Sequence, residues 1–243
     1  PVMENRFSQK LIIPCYDTDS SCLLKPSSFM DLAQEFAQLH ADRLGFGYDD
    51  MMRTRTAWVL SRMHIHFECH PKWRDEVTLS TWHKGAERLF YLRDFRMTGS
   101  RGETLVSATT SWLVLNMDTR RISRDAEVLD GGTALMENAV DQPCGKVQMP
   151  KGAEPEKVAE HKVAYSDVDM NGHTNNARYL VWAMDVLDYD FAVNNPVKDV
   201  KINFNNETRP GETVELFKAE SEGKIYVEGK VGDKSAFCVE LGW

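Results

Sequence analysis

The sequence lacks any long hydrophobic run. Apolar stretches such as residues 111–116 are far too short to span a bilayer, which takes about 20 apolar residues in a helix. The first ten residues also lack the apolar core of a secretory signal and the Arg- and Ser-rich character of a transit peptide. We therefore expect a cytoplasmic protein that has no membrane span.

Paired cysteines are missing as well. The five cysteines are odd in number, scattered, and include no Cys-x-x-Cys pair; they are Cys15, Cys22, Cys69, Cys144 and Cys238. This pattern argues against a disulfide framework and against a zinc site. We expect a reducing compartment, and neither a metal ion nor a cofactor.

Positive charge is in deficit. Twenty-nine Lys and Arg face 37 Asp and Glu, which gives a formal net charge of −8 and speaks against general nucleic-acid binding. The content of 42% hydrophobic and 27% charged residues is ordinary for a globular protein. A chain of 243 residues is long enough for one large domain or two small ones.

Helix and strand patterns alternate along the chain. Helical spacing of apolar residues predicts a long helix within residues 27–45, a second within 175–189 and a short one within 47–55. Segments rich in β-formers predict eight strands, within 57–68, 76–85, 89–99, 103–116, 197–206, 212–221, 224–232 and 235–243. Strands joined by tight turns, with one long helix in each half, predict an α+β fold with an antiparallel sheet.

The chain divides into an N-terminal unit of residues 1–124, a linker of residues 125–160 and a C-terminal unit of residues 161–243. The linker is rich in Gly, Pro and charge and has weak periodicity. The two units resemble each other in sequence. A shift of 150 residues places Asp19 on Asp169, and a shift of 137 places Val77 on Val214. This order of matches favours a duplication.

A polar stretch, residues 165–176, crowds short polar side chains in front of the second long helix. One helix cap needs only one such side chain. Alone, His173 fits a structural histidine and Asp169 a turn residue. Aligning the two copies shows which residues they share. They differ at three positions: Ser21 stands for Asn171, Leu23 for His173 and His70 for Glu207. An Asn–His pair present in only one copy indicates chemistry there.

The chemistry expected of this stretch is the stabilisation of negative charge. A loop that ends at a helix N-terminus offers free backbone N–H groups and a positive dipole, which polarise a carbonyl group. In an extended loop Asp169, Asn171 and His173 alternate and would point to one side. Gly172 would leave room for a substrate, and Asn175 and Asn176 would cap the helix.

Three segments resemble the acyl–acyl-carrier-protein thioesterases. Residues 169–182, followed by residues 202–212, resemble the family's catalytic region, and residues 112–124 resemble its strand ending in Thr-Arg-Arg. Residues 16–47 are similar to its opening strand, turn and helix. The resemblance implies two hotdog modules in tandem, each a helix wrapped by an antiparallel sheet. It also implies hydrolysis of fatty acyl thioesters on acyl carrier protein. Whether two chains pair as a homodimer is left open.

The resemblance places the family's catalytic residues on Asp169, Asn171, His173 and Glu207. In the mechanism this favours, Glu207 is the general base for water and Asn171 helps to hold that water. Asp169 orients its neighbours, and His173 stabilises charge or gives a proton to the thiolate. Plant members carry Cys directly after the Glu, whereas this chain has Thr208, so a cysteine nucleophile loses support.

We expect the helix and strands of the first unit to form most of the acyl pocket. An acidic carrier protein would need a basic patch; the candidates are a cluster of Arg120, Arg121 and Arg124 and a pair of Lys72 and Arg74. Three alternatives stay open at this point: an acyl-CoA thioesterase, a non-catalytic acyl-binding hotdog protein and a hotdog dehydratase. Both the duplication and the Thr-Arg-Arg segment argue against the single-module CoA enzymes.

Overall fold

The computed structural model describes residues 5–123 and 132–243. The first half holds two helices and five strands: β1 (Phe7–Ile12), α1 (Pro26–Leu44), α2 (Tyr48–Arg53), β2 (Thr56–Phe67), β3 (Glu76–Glu87), β4 (Phe90–Thr98) and β5 (Thr104–Asn116). The second half repeats the series: β6 (Glu156–Lys162), α3 (Asn176–Asp185), α4 (Tyr189–Asn194), β7 (Asp199–Phe204), β8 (Thr213–Ser221), β9 (Lys224–Val231) and β10 (Lys234–Gly242).

All ten strands form one antiparallel sheet, in the order β1-β3-β4-β5-β2-β7-β10-β9-β8-β6. Each half contributes five neighbouring strands, and the order of the second half mirrors that of the first. The halves join where β2 pairs with β7, with Met63 opposite Ile202 and Ile65 opposite Val200. These four side chains are almost fully buried, so the junction is part of the core. The α+β class with an antiparallel sheet is confirmed.

The duplication extends to single hydrogen bonds. In the first half, the backbone N of Leu24 donates to the carbonyl of Pro71 (2.8 Å); in the second, Thr174 N donates to the carbonyl of Thr208 (3.0 Å). Helix α1 begins at Pro26 and α3 at residue 176, which is the shift of 150 found in the sequence. The turns that precede both helices are therefore built alike.

The two helices α1 and α3 pack on the same face of the sheet and against each other. Their apolar faces belong to one core cluster that runs through both halves, with Phe29 and Phe36 from α1 and Tyr179 and Trp182 from α3. Each of these aromatic side chains is at most 4% exposed. The sheet and both helices thus hold the loops in front of the helices in fixed places.

The second long helix is shorter than its sequence predicts. Helix α3 ends at Asp185, and a separate helix, α4, begins at Tyr189. Asp188 causes the new start, because its side chain accepts a hydrogen bond from the backbone N of Phe191 (2.9 Å) and so caps α4. The apolar spacing continues across this break, and spacing alone therefore predicted one helix.

Part of the predicted linker packs on the folded chain. Its last residues form the start of β6 at Glu156, and residues 132–155, which contain no helix or strand, lie on the sheet. The carbonyl of Glu137 accepts from Trp82 Nε1 in the first half (2.7 Å), and the backbone N of Val147 donates to Asn203 Oδ1 in the second (2.8 Å). This segment therefore connects both halves by direct contacts.

Candidate active site

The loop before α3 is a tight turn. Residue 168 pairs with residue 174, Asp169 N donates to the carbonyl of His173 (3.1 Å), and Gly172 N donates to the carbonyl of Asp169 (3.0 Å). Gly172 has a φ of 78°, the left-handed region that favours glycine. A Cβ at this position would meet no atom within 4 Å. The expectation of an extended loop is therefore wrong: residues 168–174 form a turn in which Gly172 takes a left-handed conformation.

The Asp169 carboxylate holds this turn and connects it to the helix. Its Oδ1 accepts from the backbone N of Asn171 (2.9 Å), and its Oδ2 accepts from the side chain of Asn175 (3.0 Å). Asn175 in turn caps α3 by accepting from the backbone N of Ala177 (2.9 Å). The prediction of a cap at Asn175 is confirmed.

Gln34 of α1 reaches this helix start from the other half of the chain. Its Nε2 donates to Asn175 Oδ1 (3.1 Å), and its Oε1 accepts from Asn176 Nδ2 (3.2 Å). Asn176 therefore binds α1 and is the first residue of α3, not a second cap. Gln34 was not among the predicted site residues, although it lies beside the apolar stripe of α1.

Glu207 lies between β7 and β8 and comes next to His173. His173 Nδ1 is 3.0 Å from Glu207 Oε2, and about a third of each side chain is exposed to solvent (34% and 38%). Nε2 of His173 has no hydrogen-bond partner within residues 5–123 and 132–243. Two of the four predicted residues are thus in direct contact, Asp169 supports them through the turn, and Asn171 lies exposed at the tip of that turn.

The other Glu207 oxygen faces two arginines. Oε1 accepts from Arg120 of the first half and from Arg209 of its own loop, both at 3.1 Å. Partial burial raises the pKa of the Glu207 carboxyl, but the hydrogen bond from Arg209 and the charges of His173, Arg120 and Arg209 outweigh it and hold the pKa below its ordinary value. Glu207 is therefore a carboxylate at neutral pH.

Arg120 belongs to the predicted basic docking cluster, but its guanidinium is paired with the Glu207 carboxylate. The third member of that cluster, Arg124, lies outside the described residues. In the other candidate pair, the Arg74 guanidinium stacks on Trp73 (3.8 Å to the ring centre). This contact gives Arg74 a local structural role.

Thr208 is buried behind Glu207. Its hydroxyl is 2.6 Å from the Thr174 hydroxyl and 3.1 Å from that of Tyr179, and the residue is only 1% exposed. These bonds connect the loop that carries Glu207 to the turn at residues 168–174 and to α3. Thr208 therefore faces the core while Glu207 faces solvent, although the segment that carries them is not a regular strand.

A mostly apolar cavity opens in the first half between α1 and the sheet. Its lining includes Gln34, Ala37, Phe46, Trp58, Tyr91 and Trp112. Gln34 belongs both to this lining and to the contacts at the start of α3. The cavity and the start of α3 therefore have Gln34 in common.

In the ranges 5–123 and 132–243, no group of three or more His, Cys, Asp and Glu is arranged to hold a metal ion. Within the same ranges, no helix is both long and apolar enough to cross a membrane.

The sequence profile of the acyl-ACP thioesterase N-terminal domain matches residues 4–130, and that of the C-terminal domain matches residues 151–234. The chain belongs to the acyl-ACP thioesterase family. It is 27% identical over 232 residues to oleoyl-acyl carrier protein thioesterase 2 of Arabidopsis thaliana, covering 88% of this chain and 63% of that protein. Against palmitoyl-acyl carrier protein thioesterase of Gossypium hirsutum, identity is 28% over 191 residues, covering 74% and 46%. The chain thus spans less than two thirds of these relatives.

Solved structures of the family share the fold. A 12:0-ACP thioesterase from Umbellularia californica superposes with a TM-score of 0.89 at 22% identity, covering 98% of this chain and 96% of that one. An acyl-ACP thioesterase from Bacteroides thetaiotaomicron gives a TM-score of 0.82 at 23% identity, covering 98% and 97%. The hotdog fold that the resemblance implied is confirmed for this acyl-ACP thioesterase family member.

Proposed function

We propose that this protein hydrolyses fatty acyl thioesters of acyl carrier protein, releasing a free fatty acid and the carrier with its thiol. The observation that carries the proposal is the contact of 3.0 Å between His173 Nδ1 and Glu207 Oε2. It joins an ionised, partly exposed carboxylate to a histidine on the turn in front of a helix. Such a pair provides a base for water and a partner for negative charge.

In the proposed reaction, Glu207 takes a proton from a water molecule held with the help of Asn171. The water oxygen forms a bond to the thioester carbonyl carbon, and the carbon–sulfur bond then breaks. His173 stabilises the developing charge or gives a proton to the leaving thiolate through Nε2. Free thiols have a pKa of about 8.5, so a thiolate leaves readily and no covalent intermediate is required.

Asp169 acts one step away from the reacting atoms. Its carboxylate binds the backbone N of Asn171 and the cap Asn175, and it thereby fixes the turn that presents Asn171 and His173. A displacement of about 1 Å in a reacting group costs about 10²-fold in rate. We therefore assign Asp169 an orienting role.

The acyl chain would occupy the cavity of the first half. That cavity is lined by aromatic and aliphatic side chains and starts at Gln34, which is hydrogen-bonded to Asn175 and Asn176 at the start of α3. A thioester at the turn could therefore extend its alkyl chain towards α1. Apolar lining with a few polar groups is the usual composition of such pockets.

The carrier protein would dock next to the same turn. Arg121 is exposed and follows Arg120, whose guanidinium already binds Glu207. A rim charge of this kind steers an acidic partner and makes binding sensitive to salt. Replacing Arg121 by Glu should therefore raise the KM for acyl carrier protein substrates more than for small acyl thioesters, and more at low salt.

The deciding experiment compares acyl carrier protein and CoA thioesters of equal chain length, measuring released fatty acid. Glu207→Gln serves as the negative control, because it keeps the size and polarity of the side chain and removes the base. We expect turnover of the carrier substrate, preferred over CoA, and a turnover lower by about 10²-fold or more with Glu207→Gln. Preference for CoA would identify an acyl-CoA thioesterase. Binding without release of fatty acid would identify a non-catalytic acyl-binding protein.

A further inference from the structure

Arg120 lies in the tight turn that follows β5. Asn116 N donates to the carbonyl of Arg121 (2.8 Å), and Arg120 N donates to the carbonyl of Asn116 (2.9 Å). The Asn116 side chain accepts from the backbone N of Asp118 (2.9 Å) and Thr119 (3.0 Å). The chain reverses direction here within a few residues, and Arg120 is held in the left-handed region with a φ of 58°.

That backbone conformation is unfavourable for arginine. A non-glycine residue in the left-handed region costs roughly 1 kcal/mol or more. The turn is nevertheless held in place, because Arg55 Nε donates to Asp118 Oδ1 (2.8 Å) and Met117 N donates to the carbonyl of Arg55 (2.9 Å). The backbone from which the Arg120 side chain extends is therefore held in place.

From this turn the Arg120 guanidinium reaches the second half of the chain. It donates to Glu207 Oε1 at 3.1 Å, on the oxygen that also accepts from Arg209. Each carboxylate oxygen has two lone pairs. Both lone pairs of Oε1 are thus engaged, whereas Oε2 faces only His173 Nδ1 at 3.0 Å within the described residues.

We infer that Arg120 is a positioning residue for the reaction: it fixes the Glu207 carboxylate so that Oε2 is the oxygen that takes the proton from water. This inference rests on the proposed role of Glu207 as the base. Oε2 is open to a water molecule, next to the imidazole that would face the thioester. The first half thus contributes to the chemistry of the second, beyond the acyl cavity.

The same contact sets the charge around the base. The charged and titratable groups that face Glu207 are His173 from the turn, Arg120 from the first half, Arg209 from its own loop and the phenol of Tyr179 from α3. Arg120 is one of the cations that lower the pKa of Glu207. Removing it should therefore raise that pKa, and the acid limb of the pH–rate profile should move to higher pH.

The experiment uses three variants of the full chain. Arg120→Gln removes the charge, Arg120→Lys keeps the charge without the guanidinium fork, and Arg88→Gln is the matched control. Arg88 is likewise an exposed arginine with a positive φ (59°), in the turn between β3 and β4. For each variant, kcat and KM are measured on an acyl carrier protein thioester and on a small acyl thioester across pH.

We expect Arg120→Gln to lower kcat about 10-fold or more on both substrates, with KM nearly unchanged, as for a misplaced base. Its acid limb should move to higher pH, Arg120→Lys should restore part of the rate, and Arg88→Gln should match the parent. A loss confined to KM for the carrier substrate would make Arg120 a docking residue. An unmoved acid limb would also overturn the inference.

A double variant separates this inference from the proposed function. If Glu207 is the base and Arg120 acts through it, Arg120→Gln should cause no further loss in the Glu207→Gln background. If Glu207→Gln keeps full turnover, the assignment of the base fails, and the role of Arg120 fails with it. If Glu207→Gln is inactive while Arg120→Gln behaves like the parent, only the role of Arg120 fails.

Discussion

The polar turn at residues 18–24 and the turn at residues 168–174 share their backbone hydrogen bonds. Asp19 N donates to the carbonyl of Leu23 (2.8 Å), as Asp169 N does to that of His173 (3.1 Å). Cys22 has a φ of 63°, close to the 78° of Gly172. A left-handed residue is thus part of this turn in both copies, whatever its side chain.

The aspartates at the start of these turns also share a role. Asp19 Oδ1 accepts from the backbone N of Ser21 (2.8 Å) and of Leu23 (3.1 Å), and Asp169 Oδ1 accepts from that of Asn171 (2.9 Å). An aspartate that holds the turn in both copies has a structural role in each. We therefore assign the proposed chemistry to the positions where the copies differ.

The residue that replaces Glu207 in the first half makes a structural contact. His70 Nδ1 lies 3.2 Å from the carbonyl of Leu24, and its Nε2 lies 2.6 Å from the carbonyl of Val197 in the second half. Its ring stacks on Phe67 at 4.1 Å. The position of the proposed base in one copy thus connects the two halves in the other. A duplicated fold can keep one site for chemistry and use the other for packing.

The largest effect is expected at Glu207, where the copies differ most in chemistry. Glu207→Ala and Glu207→Gln should each lose about 10²-fold or more in turnover, the range for a general base. Thr208→Ala should retain most turnover, because that hydroxyl is buried in bonds to Thr174 and Tyr179 and is not presented to a substrate.

Stopped reactions analysed by mass spectrometry test this distinction directly. An acylated peptide containing Thr208, or an inactive Thr208→Ala beside an active Glu207→Gln, would contradict attack by water. The thermal midpoint of Thr208→Ala serves as the control for folding, because the loss of a buried hydrogen bond costs about 1 kcal/mol.

Transplanting first-copy residues into the second turn should nearly abolish activity without unfolding the protein. His173→Leu and Asn171→Ser copy Leu23 and Ser21, which the same backbone already accepts in the first half. Each should lower turnover about 10²-fold, as for a lost polarising group. Near-parental turnover in either variant would show that its side chain is not part of the site. Urea unfolding midpoints close to the parent's would confirm that the turn still forms.

Glu207 came to the candidate site only through the resemblance to the thioesterase family, because alone it fits a solvated charge. The sequence predicted the fold class and the repeat, because those depend on local pattern and on the alignment of two copies. It missed the edge strands β1 and β6, whose residues are largely exposed and do not alternate. It also missed that the exposed Arg120 side chain contacts Glu207. A contact between residues 87 positions apart depends on how the two halves pair, and no local pattern encodes that.

A moderate effect on stability should distinguish the aspartates at 17 and 167. Asp167 is fully buried at its side chain and accepts from His161 (2.8 Å), from the backbone N of Ala164 (2.9 Å) and from Arg178 (3.1 Å). Asp167→Asn should therefore lower the free energy of unfolding by about 2 kcal/mol, the range for charge-assisted hydrogen bonds. Urea unfolding at neutral pH measures this.

The pH dependence of that stability has a definite sign. Burial raises the pKa of Asp167, but its bonds to His161, Ala164 and Arg178 outweigh burial and hold the pKa below its ordinary 3.8. A carboxyl with a lowered pKa contributes stability above the unfolded value and loses it as pH falls through the folded value. The difference between parent and Asp167→Asn should therefore shrink below about pH 4. A difference that stayed constant well below pH 4 would rule out the charge as its source.

Asp17 provides the matched control from the first copy. Its charge adds to the effect of burial on Asp31 of α1, and together they raise the pKa of Asp31 to about 6 although Arg178 opposes them. Asp17→Asn should therefore leave stability at neutral pH unchanged or slightly higher, and it should lower the pKa of Asp31. A loss as large as that of Asp167→Asn would show that the two aspartates have the same role.

The smallest expected effect tests the aspartates that hold the two turns. Asp19→Ala and Asp169→Ala should each lower the free energy of unfolding by about 1 kcal/mol, since each removes a side-chain acceptor for backbone N–H groups at an equivalent place. Urea unfolding measures both. Only Asp169→Ala should also lower turnover, because only its turn carries Asn171 and His173. Equal turnover losses would mean that the first turn also takes part in the reaction. A turnover loss in Asp169→Ala without any loss of stability would instead place Asp169 among the groups that touch the substrate.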